Sequence, residues 1–223
     1  MKEDFKTIAQ DIACRSKKIN KKWDGQKSII EMKTAGYNQW KQMEWIGWYF
    51  QFLCEKYLNN LFIFPGKKYG NVIFDGFKNV PWDFKTHVEK NQYGKEQTVI
   101  IINDKVAIDN AIKEYGYIGL VIAVGCAQWD DEKRAFQKWV EELKGGKSEY
   151  EEKRIERGAP SRLRKVSFNL KDILFIKISN SDLGKLIIHR QGRNSNDNIR
   201  MPKYALDLKD INSFEHYSYS DLC

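Results

Sequence analysis

Apolar residues recur at three- and four-residue steps in two stretches near the start of the chain, which predicts two amphipathic helices. The first stretch spans residues 1–20, and its apolar side consists of Phe5, Ile8, Ile12 and Ile19. The second spans residues 38–61, where Asn38 is suited to the N-cap. Its apolar side consists of Trp40, Met43, Gly47, Phe50, Cys54, Tyr57 and Leu61. Residues 21–36, between the two helices, are polar and are interrupted by two glycines.

Shorter runs rich in β-branched and aromatic residues predict strands farther along the chain. These runs are 71–75, 82–88, 98–103, 118–125, 166–169, 173–178, 185–189 and 204–208, with 76–81 joining the first two. Two further helices are predicted, one from Asp104 to about residue 115 and one opened by Asp130 or Asp131. Together these elements predict an α/β (mixed α+β) fold, in which a central mixed β-sheet is flanked by helices.

The net charge of the chain limits the classes of binding partner expected for such a fold. The net charge is +8 and the pI is about 9.1. A positive field attracts polyanions, so nucleic acid is the first candidate partner and an anionic membrane surface the second. No segment approaches the roughly 20 continuous apolar residues of a membrane helix, and the N-terminus lacks the apolar region of a secretory signal. Four widely spaced cysteines without a CxxC pair argue against zinc fingers and disulfide frameworks. We therefore expect a cytoplasmic protein without a membrane partner.

The segment 82–88 carries the chemically informative pattern. Side chains two apart on a strand face the same way, so Asp83, Lys85 and His87 share one face. The opposite face carries Trp82, Phe84 and Val88 and is apolar. A row of carboxylate, ammonium and imidazole is costly in a protein interior unless it binds something. If 71–75 pairs with 82–88 as a hairpin, Asp75 comes close to Asp83.

Two neighbouring carboxylates repel each other, and a divalent cation relieves that repulsion. Mg²⁺ prefers oxygen ligands and usually keeps several waters. A metal held in this way lowers the pKa of a bound water and stabilises charge on a phosphate. Lys85 would add a second positive group beside it. The pattern therefore indicates phosphodiester hydrolysis. The alternative is a solvated edge-strand face on which Asp83 and Lys85 form a weak surface ion pair.

The arrangement of Asp75, a gap of seven residues and then Asp83-Phe84-Lys85 resembles the PD-(D/E)XK motif of restriction endonucleases and many repair nucleases. The resemblance covers roughly residues 38–125 and implies a restriction endonuclease-like core. It also implies that Asp75, Asp83 and the Phe84 carbonyl bind Mg²⁺, for which Mn²⁺ would substitute. Lys85 would position or activate the water. The chain departs from the pattern in lacking a proline before Asp75.

The family also places an acidic residue on the helix that precedes these strands, and Glu44 matches that position. The resemblance makes Glu44 a catalytic residue that binds the metal directly or through water. The alternative is an exposed helix carboxylate. His87 has two interpretations as well: a residue that contacts a phosphate or serves as an outer acid or base, or an ordinary strand histidine.

Basic residues in two segments are candidates for DNA contacts. Arginine reads guanine and asparagine reads adenine in the major groove, whereas either can also grip phosphates. The candidates are Arg157, Arg162, Arg164, Lys165, Arg190, Arg193, Asn194 and Arg200. The alternative for the second segment is a polar loop without a binding role.

These observations and the resemblance together lead to one expected function and two rivals. We expect a single nuclease domain over 1–223, with a core at about 38–180 and additions at 1–36 and 181–223 for DNA binding or dimerisation. Its expected function is type II restriction of double-stranded DNA, as a homodimer, alongside a cognate DNA methyltransferase. The rivals are a repair or junction-resolving nuclease of the same fold, and a non-catalytic basic nucleic-acid-binding protein.

Overall fold

The structure is a computed structural model that describes residues 3–65, 74–159, 162–192 and 199–223. Its α-helices are α1 (Phe5–Ser16), α2 (Gly25–Thr34), α3 (Trp45–Leu58), α4 (Lys105–Tyr115), α5 (Ala135–Lys144), α6 (Glu149–Glu156) and α7 (Tyr219–Leu222). Its strands are β1 (Lys22–Asp24), β2 (Gly76–Lys78), β3 (Val80–Val88), β4 (Val99–Asp104), β5 (Tyr117–Trp129), β6 (Lys165–Ser179), β7 (Ile187–His189), β8 (Lys203–Asp207) and β9 (His216–Ser218). Short 3-10 helices cover Asn38–Lys41, Asn180–Lys185 and Leu208–Ser213.

The larger sheet is mixed and has the strand order β1-β6-β5-β3-β2. Only the β3–β5 pair is parallel among the pairs that the described strands form in it. The long strand β6 pairs with β5 along one edge, while β1 and β9 pair with different parts of its other edge. The smaller sheet has the order β4-β8-β7 and is antiparallel.

Two hydrophobic clusters lie on opposite faces of the larger sheet. One packs α1, α2 and α3 against the face that carries Trp82 and Phe84 of β3. The other packs α4 and the smaller sheet against the face that carries Leu120 and Ile122 of β5. Because side chains alternate along a strand, Asp83, Lys85 and His87 point towards this second side. The predicted mixed sheet flanked by helices is confirmed.

Several predicted boundaries are wrong. The predicted helix over 38–61 is a 3-10 turn followed by α3, so Glu44 occupies the N-cap position and is not part of the helix. The glycine-interrupted region contains β1 and α2, because Gly25 begins the helix and Asp24 caps it by accepting the Lys27 N–H. The separate strands 166–169 and 173–178 form one strand, β6.

The helix predicted to open at Asp130 or Asp131 begins later, at Ala135, with Arg134 at the N-cap position, but both acids accept hydrogen bonds from its first turn. Asp130 accepts the backbone N–H groups of Phe136 and Gln137, and Asp131 accepts that of Ala135. Asp130 is buried, and its carboxylate accepts hydrogen bonds from backbone N–H groups in the first turn of α5.

The hairpin before the site differs from the predicted one. Its first strand is Gly76–Lys78, which was predicted as the connection, and residues 71–73 lie outside the described residues. Asn79 makes the turn with a φ of 61°, a left-handed conformation that asparagine tolerates. Gly76 pairs with Trp82, so Asp75 lies one residue before the paired segment.

Two observations bear on the expected setting of the protein. No helix in the described part of the chain is long and apolar enough to cross a membrane. The four cysteines are free thiols; Cys54 is buried, whereas Cys14 and Cys223 are exposed with their Sγ atoms 3.7 Å apart.

Candidate active site

The candidate site lies where the β2–β3 ladder ends. The Asp75 N–H donates to the Trp82 carbonyl at 3.0 Å, which is the last backbone bond of the hairpin among the described residues. The Asp75 Oδ2 then accepts the Phe84 N–H at 2.8 Å. A side-chain carboxylate thus takes the place of a backbone acceptor at the edge of β3.

Lys85 joins the two predicted carboxylates. Its Nζ lies 3.3 Å from Asp83 Oδ2 and 3.8 Å from Asp75 Oδ2. The Lys85 side chain is 26% exposed, so solvent and ligands can reach the group from one side. The structure brings together the three residues that the sequence placed at the centre of the site.

Asp83 is a buried carboxylate with few partners. Its side chain is 1% exposed, and its Oδ2 accepts a hydrogen bond from the Asn103 side-chain amide at 2.9 Å. Burial raises the pKa of Asp83 to about 6; Asp75 raises it too, whereas Lys85 and Asn103 oppose the shift. Asn103 belongs to β4, so the smaller sheet contributes directly to this site.

Lys85 stays an ammonium despite its surroundings. Burial lowers the pKa of Lys85, but the carboxylates of Asp83 and Asp75 outweigh burial and raise it above its usual value. The group is therefore positively charged at neutral pH. Two acids and one base leave this small region with one excess negative charge.

The oxygen atoms at this edge suit a small divalent cation. Asp75 and Asp83 supply two carboxylates, and Mg²⁺ is commonly held by one or two carboxylates plus waters. The Phe84 N–H points to Asp75, and the N–H and C=O of a strand residue point the same way. The Phe84 carbonyl therefore faces the same edge, as its predicted role as a ligand requires. Among the described residues, no three histidine, cysteine or acidic side chains converge on one point.

Glu44 is not part of this cluster. Its side chain is 69% exposed and forms an ion pair with Lys165 of β6. The prediction that Glu44 lies on the helix beside the metal site is wrong, because the helix starts one residue later and Lys165 holds the carboxylate elsewhere.

Glu55 is the helix acid that approaches the site, and sequence reasoning missed it. Burial raises the pKa of Glu55, the hydrogen bond from Tyr37 lowers it, and the negative charge of Asp75 raises it. The Tyr37 hydroxyl donates to Glu55 Oε1 at 3.1 Å. Glu55 is the single acidic residue in α3, but the helix predicted over 38–61 also contained Glu44, so the sequence did not distinguish the two.

His87 lies farther along the same strand face but outside the cluster. It is buried, and its Nε2 lies 2.7 Å from the Gln97 carbonyl. A carbonyl only accepts, so Nε2 carries the proton and a neutral ring presents Nδ1 as an acceptor. His87 also lines a separate cavity.

The predicted DNA contacts fall into four groups. Arg162, Arg190 and Arg200 are exposed. Arg164 is buried, and Lys165 is engaged by Glu44, so neither presents a free cation at the surface. The guanidinium of the exposed Arg157 donates through Nε to the Lys153 carbonyl. The remaining two candidates, Arg193 and Asn194, lie outside the described residues.

Comparison of the chain with family models, curated proteins and solved structures returns no match.

Proposed function

We propose that this protein is a Mg²⁺-dependent DNA endonuclease of the PD-(D/E)XK type that acts in restriction. The observation that carries the proposal is the convergence of Asp75, Asp83 and Lys85 at the open edge of β3. A buried carboxylate with a raised pKa beside a second carboxylate is a poor structural element but a good cation site. Such perturbed groups are typical of functional sites.

The donor atoms fit Mg²⁺, which Asp75, Asp83 and the Phe84 carbonyl would hold, with Glu55 close enough to contribute its charge. When bound, the metal would supply a water of lowered pKa and stabilise negative charge on the phosphate. A cation would also relieve the repulsion that raises the pKa of Asp83.

The residues of the chain would perform the remaining tasks. The Lys85 ammonium would contact a phosphate oxygen and offset the charge that develops there, because both carboxylates keep it protonated. Asn103 would hold the Asp83 carboxylate in one orientation. The apolar side of β3, with Trp82 and Phe84 buried, would keep the strand rigid beneath these groups.

The wider surroundings agree with a polyanionic substrate. The net charge of +8 favours association with DNA, and Arg190 and Arg200 flank the strands of the smaller sheet that contributes Asn103. We further propose a homodimer, since two-fold sites match two-fold proteins, and a cognate methyltransferase in the same cytoplasmic system.

Plasmid nicking with and without Mg²⁺ tests the proposal. Wild-type protein should cut, a chelator should stop cutting, and Mn²⁺ should restore it. Lys85→Ala should slow cleavage by about 10²- to 10³-fold, as expected for the loss of a group that stabilises transition-state charge. Asp83→Asn should abolish Mg²⁺-dependent cutting.

A matched pair of controls comes from α6, where Lys153 and Glu149 form an exposed ion pair. Lys153→Ala and Glu149→Gln should cut like the wild type. Full activity of both Lys85→Ala and Asp83→Asn would refute the site. Discrete fragments from long DNA would support restriction, whereas cleavage confined to branched DNA would favour a junction-resolving or repair nuclease.

A further inference from the structure

A cavity of about 480 Å³ opens beside His87, two strand residues beyond Lys85. Alternate residues of a strand are about 6.6 Å apart, so the cavity and the candidate site are neighbours on one face of β3. The mechanism proposed above does not use this cavity. Its size falls in the usual range for small-molecule sites.

The lining of the cavity combines aliphatic and charged side chains. Its aliphatic part consists of Val124, Leu174 and Leu208. Its charged part consists of Lys90, Lys171 and Lys209 together with Glu89 and Glu96. Lys171 is paired with Glu89, whereas no ion pair of Lys90 or Lys209 is found within the described part of the chain. The lining therefore offers aliphatic surface to an apolar planar group and, with three lysines against two glutamates, a small excess of positive charge to an anion.

His87 adds a directional polar group to the wall. It is 6% exposed, and its Nε2–H is committed to the Gln97 carbonyl. No hydrogen-bond partner of Nδ1 is found among the described residues. The ring thus presents an acceptor at the cavity wall, to which a donor on a ligand would hydrogen-bond.

We propose that this cavity binds one nucleotide unit of the substrate strand, next to the phosphate that is cut. The base would lie against the aliphatic wall and donate a hydrogen bond to His87, and its phosphate would contact Lys209 and Lys90. A base reaches such a cavity only from a single strand or after leaving the stack. This inference rests on the proposed nuclease function and extends it to the state of the substrate.

Deoxynucleoside 5′-monophosphates, titrated without metal, test the inference by calorimetry. Saturable binding is expected, and Lys209→Glu should weaken it by about tenfold because it replaces an attraction with a repulsion. Leu208→Trp should weaken it further by filling the cavity. The matched control is Lys113→Glu, an equal charge change at an exposed lysine of α4, which should bind like the wild type. Equal weakening by Lys113→Glu, or no binding at all, would overturn the inference.

A competition experiment separates the two sources of a nucleotide. A short single-stranded oligonucleotide should displace the monophosphate at lower concentration than a second monophosphate does, and Lys209→Glu should reduce that advantage. Displacement by free nucleotide alone would contradict a strand-bound occupant. Plasmid cleavage without nucleotide binding would overturn only this inference. Conversely, nucleotide binding without cleavage would overturn only the proposed nuclease function.

Discussion

The side-chain amide of Asn103 donates to the Asp83 carboxylate at 2.9 Å and so joins the smaller sheet to the strand that carries the candidate site. The hydrogen bond lowers the pKa of Asp83 against the effect of burial. Asn103 therefore favours the ionised form on which cation binding depends. The β4 strand is in this respect part of the site.

Asn103→Ala should lower cleavage by about 10- to 100-fold, the usual cost of losing a residue that orients a metal ligand. It should also raise the pKa of Asp83 above about 6, which carboxyl NMR of the metal-free protein would measure. Asn110→Ala, at an exposed position of α4, is the matched control. An unchanged Asp83 pKa in Asn103→Ala would contradict the assigned role.

The burial of Asp83 predicts a pH dependence of stability. Its pKa is about 6 in the folded protein and near 3.8 unfolded, so the folded state binds more protons between these values. The free energy of unfolding should therefore fall as pH rises from about 4 to 6, by up to about 3 kcal/mol. Denaturant unfolding in a chelator, compared with Asp83→Asn, isolates this contribution. The free energy of unfolding of Asp83→Asn should lack this fall with pH. The same pH dependence in the wild type and the variant would refute the contribution of Asp83.

The two glutamates near α3 should behave differently. Glu55→Gln removes a negative charge near Asp75 while Gln can still accept the Tyr37 hydrogen bond, so the fold should persist. We expect cleavage to require more Mg²⁺ and to slow by about 10-fold or more. Glu44→Gln should cut normally and change stability by less than about 1 kcal/mol, since an exposed ion pair contributes little. Cleavage rates measured over a series of Mg²⁺ concentrations test this difference. A larger loss of cleavage in Glu44→Gln than in Glu55→Gln would contradict the structure.

A pair of glycines gives a test of packing beneath the site. A Cβ on Gly119 would lie 2.3 Å from the Trp82 ring, whereas a Cβ on Gly47 would lie 3.6 Å from the nearest atom, Thr86 Oγ1. Gly119→Ala should thus destabilise the protein by about 1–3 kcal/mol or more through overpacking. Gly47→Ala should be tolerated, because a helix interior favours alanine over glycine. Thermal unfolding of the two variants makes the comparison.

The periodicity of the sequence correctly predicted the part of the site that lies on a single strand. Asp83 and Lys85 are two residues apart, and the alternation of a strand is enough to place them on one face. Asp75 lies at the site through a hairpin that differs from the predicted one, because the sequence of 76–81 does not reveal the length of the turn. The strand register here depends on Asn79 and its left-handed backbone.

Relationships between elements could not be read from the chain in the same way. Which glutamate approaches Asp75 depends on how far α3 extends along β3, and that distance is set by packing of Trp45 and Phe50 into the core. The basic segment 157–165 likewise mixes the buried Arg164 with the exposed Arg162, a difference that composition does not reveal.

The position of β5 between the two hydrophobic clusters has a consequence for sequence change. Val121 and Ala123 belong to one cluster, and Leu120 and Ile122 belong to the other. A strand with one solvent face can vary at every second position, but β5 has no such freedom over this stretch. In a saturation mutagenesis experiment, residues 120–123 should tolerate fewer substitutions than any other segment of the described chain. Tolerated substitutions should be concentrated in the strands at the edges of the sheet.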